Sequence, residues 1–226
     1  MNPHNPYAAP GTDTLGPPQG GDGDGERYVP LASRALLASV AVCAETFFGV
    51  VMHLGQLSMV GHAGSRAAEG GTLIIGLAGL GLLITLIASV ILVGVWIHRA
   101  ASNLRPLGRY GMSFSPASCV GSFFIPVASL WMPLQGMREI WRASDPNANQ
   151  AEWIFAPTSP LLSVWWAAWI SSQLVAWGAF LAKGDPVSAG AIGLASDAFK
   201  VAAATALVLL MRRIGARQVQ AASRLP

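Results

Sequence analysis

Four stretches of this chain are long enough to cross a bilayer and nearly free of charge, which confines them to membrane-spanning helices. Residues 73–98 (LIIGLAGLGLLITLIASVILVGVWIH) and 161–182 (LLSVWWAAWISSQLVAWGAFLA) contain no Asp, Glu, Lys or Arg. Residues 35–57 contain one charge, Glu45, and residues 189–211 contain two, Asp197 and Lys200. At 1.5 Å per residue, about 20 residues cross the ~30 Å hydrocarbon core. The composition agrees: 11% of the 226 residues are charged, 53% are hydrophobic, and the mean hydropathy is +0.48. A soluble domain carries ~25% charged residues, so this chain cannot cover a water-facing surface. The expected fold class is all-α, a multi-pass transmembrane bundle of four spans plus a Pro-containing re-entrant or interfacial element.

Outside the spans the chain reads as follows. Residues 1–34 form a Pro/Gly-rich tail with six prolines and a GGDGDGE run, lacking the apolar periodicity that repays ordering entropy. It reads as a disordered cytoplasmic tether, with Tyr7 or Tyr28 as the sharper alternative of a docking site. Nothing in it resembles a secretory signal, so the first span is expected to be retained. The membrane domain is expected over 35–211, and 212–226 as a short basic tail. Net charge +3 and pI 9.2 do not indicate nucleic acid, because the charges are scattered without a basic run. Cys43 and Cys119 lie in apolar context and offer neither a disulfide framework nor metal spacing. No metal or cofactor is expected.

The ambiguous piece is residues 117–132 (ASCVGSFFIPVASLWM). Sixteen helical residues reach about 24 Å, short of the core, and Pro126 removes a backbone hydrogen bond in mid-run. Charge placement decides. If the run does not cross, one side holds Arg27, Arg34, Arg99, Arg105, Arg109, Arg138, Arg142, Arg212, Arg213, Arg217 and Arg224, and the other holds Arg66 and Lys183, 11 against 2. If it crosses, the bias disappears, six against seven. Four spans with both termini cytoplasmic follow, in a cell-membrane protein whose residues 114–144 form a re-entrant or interfacial element docked on the helices. Ser115 and Pro116 read as a helix start, and Pro133 begins a second helix. There Leu134, Met137, Ile140 and Trp141 share an apolar face opposite Gln135, Arg138, Glu139 and Arg142. Trp96, Arg99 and Asn103 share a face as the second span leaves the membrane. Gly76, Gly79 and Gly81 suit close helix packing, and Trp165, Trp166 and Trp169 suit the headgroup level.

The run WIHRAASNLRPLG followed by FSP, IPVASLWMP and MREIWRAS resembles the bacterial integral-membrane family called domain of unknown function 4328. The matching residues are Trp96, Arg99, Asn103, Leu104, Gly108, Phe114, Ser115, Pro116, Pro126, Pro133, Arg138, Glu139, Trp141 and Ser144, and the flanking pattern extends the likeness over most of 35–211. The chain departs from the family at Ser129 and Met132, where Asn and Arg are common. The resemblance implies a multi-pass bacterial membrane protein and supplies no activity.

Counted from the cytoplasmic end of each span, Glu45, Thr85, Gln173 and Lys200 fall at one depth near the midplane. Glu45, Gly49, His53 and Gln56 share a face of the first span, and Gly193, Asp197, Lys200 and Ala204 a face of the last. Charges at that depth cost ~2.5–3.5 kcal/mol each on insertion scales, so they should face the bundle and find partners. Two readings follow: a buried ion pair (Glu45 or Asp197 with Lys200) that fixes register, or a proton path in which Glu45 titrates and His53 relays. No HExxH, GxSxG, CxxC or phosphate loop is present, so no enzyme is indicated. His62 and His98 read as loop and interfacial residues. Arg99, Arg105, Arg138 and Arg142 suit either topogenic charge or contact with anionic lipid headgroups. The expected partners are therefore the lipid bilayer, with anionic headgroups as a candidate, and no nucleic acid. The leading functional reading is a non-catalytic organiser of membrane partners or lipids; the alternative is a small proton- or ion-coupled transporter or channel.

Overall fold

A computed structural model describes residues 27–58, 66–148, 152–181 and 186–225. The tail before residue 27 with Tyr7, the loop 59–65 with His62, and the connection holding Lys183 lie outside the described residues. Among the described residues there are six α-helices: α1 (Ala32–Ser58), α2 (Arg66–Ser102), α3 (Pro116–Gly121), α4 (Met132–Ala143), α5 (Pro160–Leu181) and α6 (Pro186–Ala222). There is no strand among the described residues. Among the described residues three helices are long and apolar enough to cross a membrane: α1, α2 from Gly70, and α6 from Ser188. The fourth expected span, α5, has 22 residues and no charged side chain. Leu77, Leu80, Ile84, Ile87 and Ile91 are exposed along α2. An apolar surface that continuous belongs in lipid.

The long helices pack in the order α2, α1, α6, α5: α1 lies on α2 and α6, and α5 on α6. The outer pair, α2 and α5, do not pack along each other, so the bundle is an arc with a gap in its side. The helices approach most closely at two glycines. A Cβ at Gly81 would overlap the Phe48 ring, and one at Gly193 would overlap His53, so α2 and α6 each receive a large side chain of α1. Gly76, by contrast, faces open space.

Residues 116–143 fold as a hairpin that bridges the gap at one end. Ser115 caps α3, its hydroxyl accepting from the Ser118 amide at 3.1 Å, with Pro116 as the first helical residue. After a helical turn at Ser122–Phe124 the chain reverses through Ile125–Pro126–Val127. Val127 has φ 67°, a left-handed backbone costly for a β-branched residue. A second turn, Ala128–Leu130, leads into α4, whose second residue is Pro133. The tip is apolar and outward: Phe124, Ile125, Val127, Leu130 and Trp131 are exposed. Its inner side docks on α5, where the Trp166 indole donates to the Leu130 carbonyl at 3.0 Å and Phe123 stands edge-on to Trp166 and Trp169.

The two ends of the hairpin lie side by side. The Glu139 carboxylate accepts from the amides of Ser113 (2.8 Å) and Phe114 (3.1 Å). Arg109 donates to the carbonyls of Ala143 (3.1 Å) and Asp145 (2.9 Å).

Two expected boundaries move. Residues 27–34 are not tail: Leu31 is buried in the core and α1 begins at Ala32. Nor is 212–226 a tail, since α6 continues to Ala222 with Ile214, Gln218 and Ala221 buried. Arginines at the end of an apolar run stop a membrane span; they do not stop a helix.

Single cysteines at Ser113 and Asn147, both exposed, should react with an impermeant maleimide from the same side of sealed vesicles. Labelling from opposite sides would mean that the intervening run crosses.

Candidate intramembrane site

At the end of the bundle that carries the hairpin, the motif residues form a buried polar lock. Asn103 is fully buried. Its amide accepts from the Val29 N–H (3.1 Å) and donates to the Val29 carbonyl (2.8 Å) and to Gln218 Oε1 (3.0 Å). Gln218, also fully buried, donates to the Ala100 carbonyl (2.9 Å) and the Ser144 hydroxyl (3.1 Å). Ser144 in turn donates to the Ile140 carbonyl. Arg99 donates to the Arg27 carbonyl at 3.0 Å. Trp96 is buried below this layer. Trp141 donates to the Pro157 carbonyl (3.2 Å) and carries the Arg217 guanidinium 4.3 Å above its ring, while Arg217 pairs with Asp145 at 2.6 Å. Arg138 reaches Ser163 at 3.4 Å. Burial lowers the Arg109 pKa, an effect Asp145 opposes, and raises that of the Tyr28 phenol. Burial, with the Glu139 charge added, pushes the Cys119 thiol up to about 12, which leaves it an inert packing group.

Deeper in the bundle the ionisable residues divide into two groups. On one side Asp197, 1% exposed, receives His53 Nδ1 at 2.6 Å and lies 3.6 Å from the Lys200 ammonium. The faces expected from helical spacing interlock here: Asp197 packs on Gly49, and His53 on Gly193. On the other side the Glu45 carboxylate accepts from the Ser89 hydroxyl of α2. Thr85, one turn away, donates to the carbonyls of Gly81 and Leu82 in its own helix. Gln173 is exposed on α5 and makes no hydrogen bond among the described residues.

Between the groups lies a cavity of about 300 Å³. Glu45, Ser89, Gln173 and Lys200 supply polar atoms to its wall. Val90 of α2, Trp169 of α5 and Phe123 and Phe124 of the hairpin supply apolar ones. The cavity lies where α2 and α5 fail to meet, with the hairpin across one end. Among the described residues no group of three or more His, Cys, Asp or Glu side chains is placed to hold a metal ion.

Residues 62–216, more than half of the chain, match the family described as Domain of unknown function (DUF4328). The chain belongs to this family. No curated protein and no solved structure matches it. The DUF4328 match begins after α1, later than the pattern in the sequence suggested, and runs five residues past Met211. The intramembrane site is therefore composite. Ser89, Gln173, Asp197 and Lys200 come from the DUF4328 region, whereas Glu45 and His53 come from the helix preceding it.

Ser89 and Gln218 escaped the sequence reading, and each had a signal. Ser89 lies one turn from Thr85 on the same face. Gln218 continues the spacing Leu207, Met211, Ile214 beyond the arginines, which is core spacing. Depth counting could place Glu45 and Lys200 at one level, but not which way each points around its helix. Among the described residues they form no ion pair with each other.

Gly193→Ala should lower the unfolding free energy in detergent by about 1–3 kcal/mol through overpacking on His53. Combined with His53→Ala, the loss should be clearly smaller than the sum of the two single losses. Additive losses in thermal unfolding would mean that the ring does not occupy the glycine's space.

Proposed function

We propose that this DUF4328 protein is a four-span, non-catalytic membrane protein that organises lipid-phase molecules by holding one in the cleft between α2 and α5. The observation that carries this reading is the cleft itself: a cavity of about 300 Å³ whose wall combines Glu45, Ser89, Gln173 and Lys200 with apolar side chains. Its size is at the lower end of small-molecule sites. In this reading α5 is the fourth span, and the hairpin is a re-entrant cap on the cytoplasmic side together with the ends of α2 and α6. The charge distribution supports that orientation, since 11 of the 14 Lys and Arg residues belong to the hairpin end. Arg105, Arg212 and Arg213 are exposed there and suit anionic headgroups alongside the cap.

Proton- or ion-coupled transport is the second reading, and the His53–Asp197–Lys200 cluster is what favours it. The packing favours holding over passage. Between the cavity and the Asn103–Gln218 layer the interior is filled by Trp96, Ile97, Leu207 and Leu210, all buried. The polar layer thus ends against an apolar plug before it reaches the lock.

Native mass spectrometry of protein extracted in mild detergent should find a lipid-phase molecule retained on the chain and lost from Ala204→Phe, which fills the cavity wall. Retention equal in the two proteins would place the bound molecule elsewhere. In proteoliposomes an imposed pH gradient should drive no more proton flux than in empty vesicles. A flux abolished by Asp197→Asn would establish transport instead.

A further inference from the structure

Resting on the lipid-holding reading above, we infer that the cleft takes a neutral, chain-bearing molecule with a carbonyl-bearing ring as its head, a quinone-type lipid. Glu45 is 13 residues into α1 and Lys200 is 14 residues into α6, which runs the opposite way. Each is about 20 Å along its helix from the end where that helix begins. A phospholipid headgroup held at the membrane surface does not bring its charge there. The polar end of the occupant must itself lie within hydrocarbon depth, which favours a small uncharged group.

The wall presents a carboxylate and an ammonium to the same space, Glu45 and Lys200. An anionic head meets Glu45, and a cationic one meets Lys200. A neutral group with oxygen atoms meets neither repulsion and can use both residues.

Lys200 has Asp197 Oδ1 at 3.6 Å, beyond hydrogen-bond reach, and that oxygen has no hydrogen-bond partner. The ammonium therefore has donors to spare. The Gln173 amide is also unpartnered among the described residues, and both groups line the cavity. Two donors call for carbonyl oxygens. Glu45 accepts from Ser89 and retains lone pairs for a hydroxyl, so a ring bearing hydroxyls in place of carbonyls is also accommodated.

Phe123, Phe124 and Trp169 form an aromatic wall, which suits a planar head by offset or edge-on stacking. About 300 Å³ holds a substituted six-membered ring but not a long chain. The chain leaves through the gap between α2 and α5 into the bilayer.

The test uses the full chain in phosphatidylcholine nanodiscs titrated with a decyl-substituted benzoquinone, a quencher of tryptophan emission. Quenching should saturate at one quinone per chain. Gln173→Leu, which removes a group with no protein partner and so leaves the fold intact, should weaken binding by about tenfold, the factor that ~1.4 kcal/mol represents. Lys200→Met should weaken it at least as much. Quenching that rises linearly and equally in wild type and Gln173→Leu would overturn the assignment. If dioleoylglycerol or a phospholipid is then found in the cleft by mass spectrometry, and lost in Ala204→Phe, the quinone assignment falls and the lipid-holding reading stands. If nothing is retained either, both fall.

Discussion

The amide pair Asn103–Gln218 is the interaction on which the rest of the architecture depends. Both side chains are fully buried, and all four of their N–H donors are used. Through them the end of α2, the end of α6, the chain leading into α1 and the end of the hairpin meet at one point. A buried amide left without a partner costs about 1–3 kcal/mol, so each of the four segments is held in place by the needs of the others. With that junction fixed, α1 and α6 are aligned antiparallel from the same end. His53 and Asp197 are then brought level, 2.6 Å apart, deep in the bundle.

The cleft follows from the same arrangement. Because α1 and α6 pack together and take α2 and α5 on their outer flanks, the outer pair is left apart. The hairpin fills only the end of that gap, tied to α5 through Trp166 and to its own base through Glu139 and Arg109. What is left open is lined in part by Glu45, Ser89, Gln173 and Lys200, from α1, α2, α5 and α6. Their charges are partly matched within the protein, Glu45 by Ser89 and Asp197 by His53 and Lys200. The remaining capacity at Lys200 and Gln173 faces the cavity.

Much of this was legible in the sequence, and what was not has a physical cause. Each long apolar run lies on a long helix, though α2 begins earlier, at Arg66, and α6 ends later, at Ala222. Arg212 and Arg213 end the stretch that lipid can cover, yet α6 continues because Ile214 and Gln218 still face a core. Residues 117–132 do not run on as one helix: they break into two short turns on either side of Ile125–Val127. Pro126 was the local cue, and the left-handed Val127 beside it marks the turn. Asn103 stood out through its spacing from Trp96 and Arg99, but its partners are 74 and 115 residues away. No local pattern encodes such a contact. Equal depth brought Glu45 and Lys200 to notice together, and rotation about each helix axis then gave Glu45 to Ser89 and Lys200 to Asp197.

A double-mutant cycle on Asn103→Leu and Gln218→Leu, read by reversible unfolding in detergent, tests the organising role of the amide pair most directly. Each single change should destabilise by about 1–3 kcal/mol, since it strands the other amide. The double variant should lose at least ~1 kcal/mol less than the sum of the two. Strictly additive losses would contradict the account, because the two amides would then not be one junction.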